Sequence, residues 1–191
     1  MAHGDREIEI KIPLDRNAFL SVKERLQKSA RYEKTSQQRD EYFTPAHRNF
    51  VGPPFPFEWL SLRERAGKFI INYKHFYPEN AETTTHCDEF EAEVKDKGKM
   101  EKIFAALDFK RLVAVEKERE VYVMGNKFEI ALDTVRDLGH FVEIEAMKDL
   151  GSVEETRERL FACARSLGID PSRAEKRGYP FLLMRKKGLL K

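Results

Sequence analysis

The feature that most constrains this 191-residue chain is a series of short stretches in which charged and apolar residues take turns. Alternation with a period of two puts successive side chains on opposite faces of a β-strand. The first stretch, 6–12, contains Glu7-Ile8-Glu9-Ile10-Lys11 and ends on Ile12. Further strands are expected at 37–44, 57–65, 68–76, 87–95, 112–124, 127–135 and 140–147. Ala66-Gly67 and Gly125-Asn126 suit tight hairpin turns, and Gly139 marks another break. The stretch 47–56, with Gly52, Pro53, Pro54 and Pro56, reads as a loop, as does the polar stretch 78–85.

Helices are expected in three places. Asp15 can cap one at 16–30, with Phe19, Val22 and Leu26 on one face. A second fits 97–107, where Met100, Ile103, Phe104 and Leu107 have helical spacing. Ser152 and Glu155 form a capping box for a third, reaching about Leu167, with a buried stripe of Val153, Thr156, Leu160 and Cys163 or Ala164. Pro171 ends the regular pattern, and Arg185-Lys186-Lys187 reads as a solvated basic end. About eight strands lying close in sequence favour antiparallel pairing, and eight such strands can close on themselves without an exposed edge. The expected fold is therefore α+β: a closed, eight-stranded antiparallel β-barrel, or tunnel, with a polar interior, flanked by about three helices. One domain over 1–191 suits this length.

The placement of charge says more than its amount. Glu7, Glu9 and Lys11 share a face, as do Arg63 with Arg65, Lys68 with Asn72 and Lys74, Glu89 with Glu91 and Glu93, Lys117 with Arg119, Glu129 with Asp133, and Glu143 with Glu145. A sheet with one face in water also alternates, so each strand alone is ambiguous. These polar faces, however, are nearly pure acid and base, with few of the Thr and Ser residues common in sheets. Like charges about 4 Å apart at an effective dielectric near 20 repel by about 4 kcal/mol; residues two apart on a strand are farther away, but the sign holds. Such an arrangement is easier to hold with a metal among the acids and an anion among the bases. Charged faces turned inward, with apolar faces under the helices, would make room for an elongated small ligand. Acids would hold Mg²⁺ or Mn²⁺ and Arg and Lys would hold phosphate oxygens, which together describe a metal-bound polyphosphate.

Charged residues make up 36% of the chain, yet the formal net charge is only +2, which argues against a general nucleic-acid-binding surface. The two cysteines, Cys87 and Cys163, belong to no CxxC pair and read as reduced thiols of a cytoplasmic protein. No apolar run approaches the roughly 18 residues of a membrane span, and Met1-Ala2-His3-Gly4-Asp5-Arg6 lacks the apolar core of a secretion signal. The histidines His3, His47, His75, His86 and His140 have no zinc-ligand spacing, and no P-loop is present. Trp59 with Phe55 and Phe57 reads either as packing or as a rim that stacks on a base or thiazolium ring.

In this order the motifs resemble the CYTH superfamily, the triphosphate tunnel metalloenzymes that include class IV adenylyl cyclases and thiamine triphosphatases. Glu7-Ile8-Glu9-Ile10-Lys11 resembles its ExExK signature. The blocks Gln38-Arg39-Asp40-Glu41-Tyr42-Phe43, Leu62-Arg63-Glu64-Arg65, Tyr73-Lys74, Glu89-Phe90-Glu91-Ala92-Glu93-Val94, Lys117-Glu118-Arg119, Leu132-Asp133 and Gly139-His140-Phe141-Val142-Glu143-Ile144-Glu145 follow in family order. The resemblance implies that Glu7, Glu9, Glu91, Asp133, Glu143 and Glu145 hold the divalent metal, with Glu89 or Glu93 as alternatives to Glu91. It implies that Lys11, Arg63, Arg65, Lys74, Lys117, Arg119 and Lys176 bind phosphate, with Arg177 an alternative to Lys176. Lys74, Glu9 and Glu145 are the expected catalytic residues, Lys74 as a base or as a group that orients water.

The ligand is thus expected to be a small-molecule triphosphate, with neither nucleic acid nor membrane as partner, and the protein a monomer or homodimer. Two reactions fit: water attacking the terminal phosphorus of tripolyphosphate, a nucleoside triphosphate or thiamine triphosphate, or the ribose 3′-oxygen of ATP attacking the α-phosphorus to give cyclic AMP and pyrophosphate. Hydrolysis is favoured, because cyclisation demands further positioning. A non-catalytic polyphosphate or nucleotide sensor is a third reading.

Overall fold

A computed structural model describes residues 6–190. The segment 1–5, including His3 and most of the stretch read against secretion, lies outside the described residues. The chain divides into two compact units, Met1–Ser36 with Lys117–Lys176 and Gln37–Glu116 with Arg177–Lys191.

The first unit contains β1 (Arg6–Glu7), β2 (Glu9–Leu14), α1 (Arg16–Ser29), the start of β3 (Arg31–Thr44), the end of β7 (Lys110–Met124), β8 (Phe128–Val135), β9 (Gly139–Ala146) and α3 (Val153–Ser166). The strands run in the order β3, β7, β8, β9, β2. The registers β2 to β9, β9 to β8 and β8 to β7 are all antiparallel. Ile10, Ile12, Ile130, Leu132, Val142 and Ile144 form one apolar face, which packs with Phe19, Val22 and Leu26 of α1 and Leu160, Cys163 and Ala164 of α3. Asp15 caps α1, accepting from the Ala18 N–H at 2.8 Å. Ser152 and Glu155 form the capping box of α3. Gly125 and Asn126 both have positive φ, the geometry a two-residue hairpin needs.

The second unit contains the end of β3, β4 (Glu58–Arg65), β5 (Lys68–Tyr77), β6 (His86–Val94), α2 (Lys97–Ala106), the start of β7 and α4 (Tyr179–Lys186). Its strand order is β6, β5, β4, β3, β7. Phe43, Leu60 and Leu62 pack with Phe104 of α2, joined by Ile71, Tyr73, Met100 and Phe109. Glu41, buried on the same side, binds Lys97 at the start of α2 and Arg39, each at 3.0 Å. Burial pushes the Glu41 carboxyl upward, but Lys97 and Arg39 outweigh it and hold the group below its ordinary value.

The α+β class and antiparallel pairing agree with the sequence reading. The expected closed barrel is corrected to this extent: each unit by itself is an open run of strands. The α-helices number four among the described residues, not about three. The added helix, α4, lies in the tail that was read as irregular. Proline in its first turn costs no internal hydrogen bond. Tyr179 and Leu183, four apart, are buried with Pro180 and Met184, while Arg185, Lys186 and Lys187 remain exposed. The strand expected at 37–44 begins at Arg31; its first part, 31–35, is exposed and shows no apolar alternation by which the sequence could reveal it. The strand expected at 6–12 is split at Ile8 into β1 and β2. No helix among the described residues is long and apolar enough to cross a membrane.

Candidate functional site

In the first unit, the face of the sheet opposite the helices is charged. Register places Glu9 opposite Glu145 and Lys11 opposite Glu143 across β2 and β9. It places Glu129 opposite Glu145 across β8 and β9, and Arg119 opposite Asp133 across β7 and β8. Two groups result. In the first, carboxylate oxygens of Glu7, Glu9 and Glu145 all lie within 4.8 Å of one another, and all three residues are half-buried. Three hard oxygen donors at this spacing fit Mg²⁺ or Mn²⁺.

The second group is an ion-pair network. Lys117 Nζ donates to Asp133 at 2.9 Å, and Arg119 Nε donates to Asp133 at 2.7 Å. Arg119 also donates to Glu143, whose other oxygen lies 3.0 Å from Lys11 Nζ. Burial disfavours ionisation of Asp133, but Lys117 and Arg119 reverse the sign and lower its pKa. Burial opposes ionisation of Glu143 too, and Arg119, Lys11 and Lys117 hold it well below the ordinary carboxylate value. Asp133 and Glu143, expected on the metal, thus stand among the cations.

The second unit carries a matching face on β3 to β6. Arg63 donates to Glu89 at 3.0 Å and to Glu91 at 2.7 Å. Asn72 donates to the same two carboxylates at 2.6 and 3.0 Å. Lys74 Nζ is 3.4 Å from Glu89. Asp40, only 5% exposed, accepts from Arg65 at 2.8 Å and lies 4.0 Å from Arg63 Nε. Burial works against the Arg63 charge, but Asp40, Tyr42, Glu89 and Glu91 outweigh it and raise its pKa. Arg63, Arg65 and Lys74 are therefore brought together, and Glu91 is held by Arg63 and Asn72. Glu89, its alternative, shares both partners and adds Lys74. Glu93 instead pairs with Lys68 at 3.4 Å.

Lys176 is exposed, next to Glu175, whose N–H donates to the Lys11 carbonyl at 2.7 Å. Arg177 lies over the Phe55 ring at 4.5 Å and the Phe181 ring at 5.5 Å, and donates to the Ala81 carbonyl at 3.4 Å. Trp59 lies inside β4, opposite Lys74, and meets Tyr42 edge to face at 5.7 Å. Both rings are buried on the charged side of the strand. Phe57 tilts against His75 at 5.4 Å. The sequence reading gave no role to Asp40, Asn72 or Glu129. Asn72 shares the phase of Lys74, and Asp40 becomes visible once the β3–β4 register places it opposite Arg63. Both cysteines are free and buried.

A CYTH domain model matches residues 5–179. The chain belongs to the CYTH family. It is 30% identical over 175 residues to MJ0240 of Methanocaldococcus jannaschii, whose name marks it as a proposed adenylate cyclase; the match covers 91% of this chain and 95% of that protein. Among solved CYTH-like structures, the PH1819 protein of Pyrococcus horikoshii OT3 superposes with a TM-score of 0.78 at 28% identity, covering 94% of this chain and 99% of the other. The PH1012 protein of the same organism gives 0.74 at 29% identity, covering 92% and 98%.

Proposed function

We propose that this CYTH-family chain is a divalent-metal-dependent enzyme that hydrolyses a triphosphate: tripolyphosphate, a nucleoside triphosphate or thiamine triphosphate. The observation that carries the reading is the three-carboxylate group Glu7, Glu9 and Glu145, on the same sheet face as the buried Lys11 and Lys117 and the half-buried Arg119. Bound Mg²⁺ or Mn²⁺ would neutralise charge on the phosphate oxygens. Lys11, Lys117 and Arg119 supply positive charge for the rest of the phosphate chain, with Lys176 as a further contact, and Arg63, Arg65 and Lys74 form a second group of phosphate-binding cations within their own unit. Asp133, Glu143, Glu89, Glu91 and Asp40 keep those cations pointed. Held side chains of this kind favour in-line displacement, because little reorganisation remains when charge develops. Lys74 orients the attacking water or takes its proton. A cytoplasmic location and a monomeric or homodimeric state belong to the same proposal.

A second reading, formation of cyclic AMP and pyrophosphate from ATP, is favoured by the name of the M. jannaschii relative. Incubating the full chain with Mg²⁺ or Mn²⁺ and each triphosphate in turn separates the two. Orthophosphate release supports hydrolysis, and cyclic AMP with pyrophosphate supports cyclisation. Glu9→Ala is expected to abolish metal-dependent turnover. Full activity in that variant would show the metal assignment to be wrong, and a chain that binds no triphosphate would defeat both readings.

A further inference from the structure

The charged face of the second unit holds two buried donors that lack an acceptor. Ser61 is 1% exposed, and its Oγ has no hydrogen-bond partner among the described residues. Arg63 Nε is likewise buried without one, and its 4.0 Å separation from Asp40 Oδ2 is too long for a hydrogen bond. The two residues are two apart on β4 and therefore point to the same side. Buried polar groups are nearly always satisfied, so neighbouring orphans call for an explanation. Arg Nε–H can only donate, and a hydroxyl can donate. Glu89 and Glu91, which would be the obvious acceptors, are engaged by the Arg63 NH1 group and by Asn72. Arg65 and Lys74 lie on the same face, so an acceptor arriving here meets positive charge.

We infer that Ser61 Oγ and Arg63 Nε form one subsite that receives a phosphoryl oxygen of the bound triphosphate, with Ser61 as a substrate-binding residue. This rests on the triphosphate reading above and adds a residue to it. A phosphoryl oxygen is an acceptor with charge, and a donor pair on one strand face matches it. Register places Ser61 between Tyr42 on β3 and Asn72 on β5, one strand position from the Arg63 row and next to the Trp59–Tyr42 pair. The subsite therefore lies where the row of cations gives way to aromatic rings.

The test is calorimetric titration of the full chain with inorganic tripolyphosphate, comparing wild type with Ser61→Ala and Ser61→Cys. Loss of one hydrogen bond to a charged oxygen is expected to weaken binding about tenfold or more in Ser61→Ala. Ser61→Cys keeps nearly the same volume but is a weak donor, so it is expected to weaken binding similarly. The melting temperature of either ligand-free variant should not fall, because in the ligand-free chain this hydroxyl makes no bond to lose. Unchanged affinity in Ser61→Ala, as when a buried water alone satisfies the hydroxyl, overturns the inference. Wild-type affinity in Ser61→Cys also overturns it, since shape would then suffice. If wild type binds tripolyphosphate and the variants match it, only this subsite falls. If wild type does not bind, the triphosphate reading falls with it.

Discussion

Asp133 is 0% exposed and yet carries charge, which is tolerable only because Lys117 and Arg119 close on it from the neighbouring strand. Its folded pKa is lowered, so its contribution to stability is present above the unfolded value near pH 4 and is lost as pH falls through the folded value. Asp133→Asn leaves the buried Lys117 and the half-buried Arg119 short of a partner. It is expected to cost about 3–5 kcal/mol at pH 7. Urea unfolding at steps from pH 7 to pH 3 should show the gap from wild type narrowing as the medium becomes acid. A gap that stays constant would mean that Asp133 does not titrate with the fold. Glu143 behaves in the same direction, so the acid loss in wild type is a sum over both.

At the scale of elements, every strand that carries the candidate site is two-faced, and the apolar face decides where it sits. Helix α2 illustrates this. It has no hydrogen bond to the sheet backbone among those described, and is held by Phe104 and Met100 against Phe43, Leu60 and Leu62, with Lys97 bound to Glu41. Phe104→Ala is expected to cost about 3–5 kcal/mol, read by denaturant unfolding followed by circular dichroism. The loss should also loosen β3 and β4, which carry Asp40, Arg63 and Arg65 on their other face, so phosphate affinity should fall with stability. A variant that lost stability but kept full affinity would separate the two faces.

For the whole molecule, the family assignment and the acidic group together predict a linkage between metal and folding. A cation held by Glu7, Glu9 and Glu145 binds the folded chain and not the unfolded one. At one hundred times its Kd it should add about 2.7 kcal/mol. Manganese titration should therefore raise the melting temperature, and Glu145→Gln should remove most of that rise while leaving the metal-free melting temperature near wild type. The same rise in both proteins would place the metal elsewhere.

The amino-acid sequence alone determined the class of fold, most strand positions, three of the helices and the charged character of one sheet face. These follow from period and sign, which are local properties: Glu7, Glu9 and Lys11 share a face in any extended backbone. The ordered motifs also sufficed to point to the family. Which charge meets which was decided by tertiary structure. Phase alone puts Glu143 on one face with Glu145, and register then sets it opposite Lys11 and within reach of Arg119. Asp40 gained a role only when β3 paired with β4, and Ser61 only when burial left its hydroxyl without a partner. Helix α4 was illegible for a related reason. Its short apolar pattern follows Pro171 and contains Pro180, and only packing of Tyr179, Leu183 and Met184 makes so brief a helix stable.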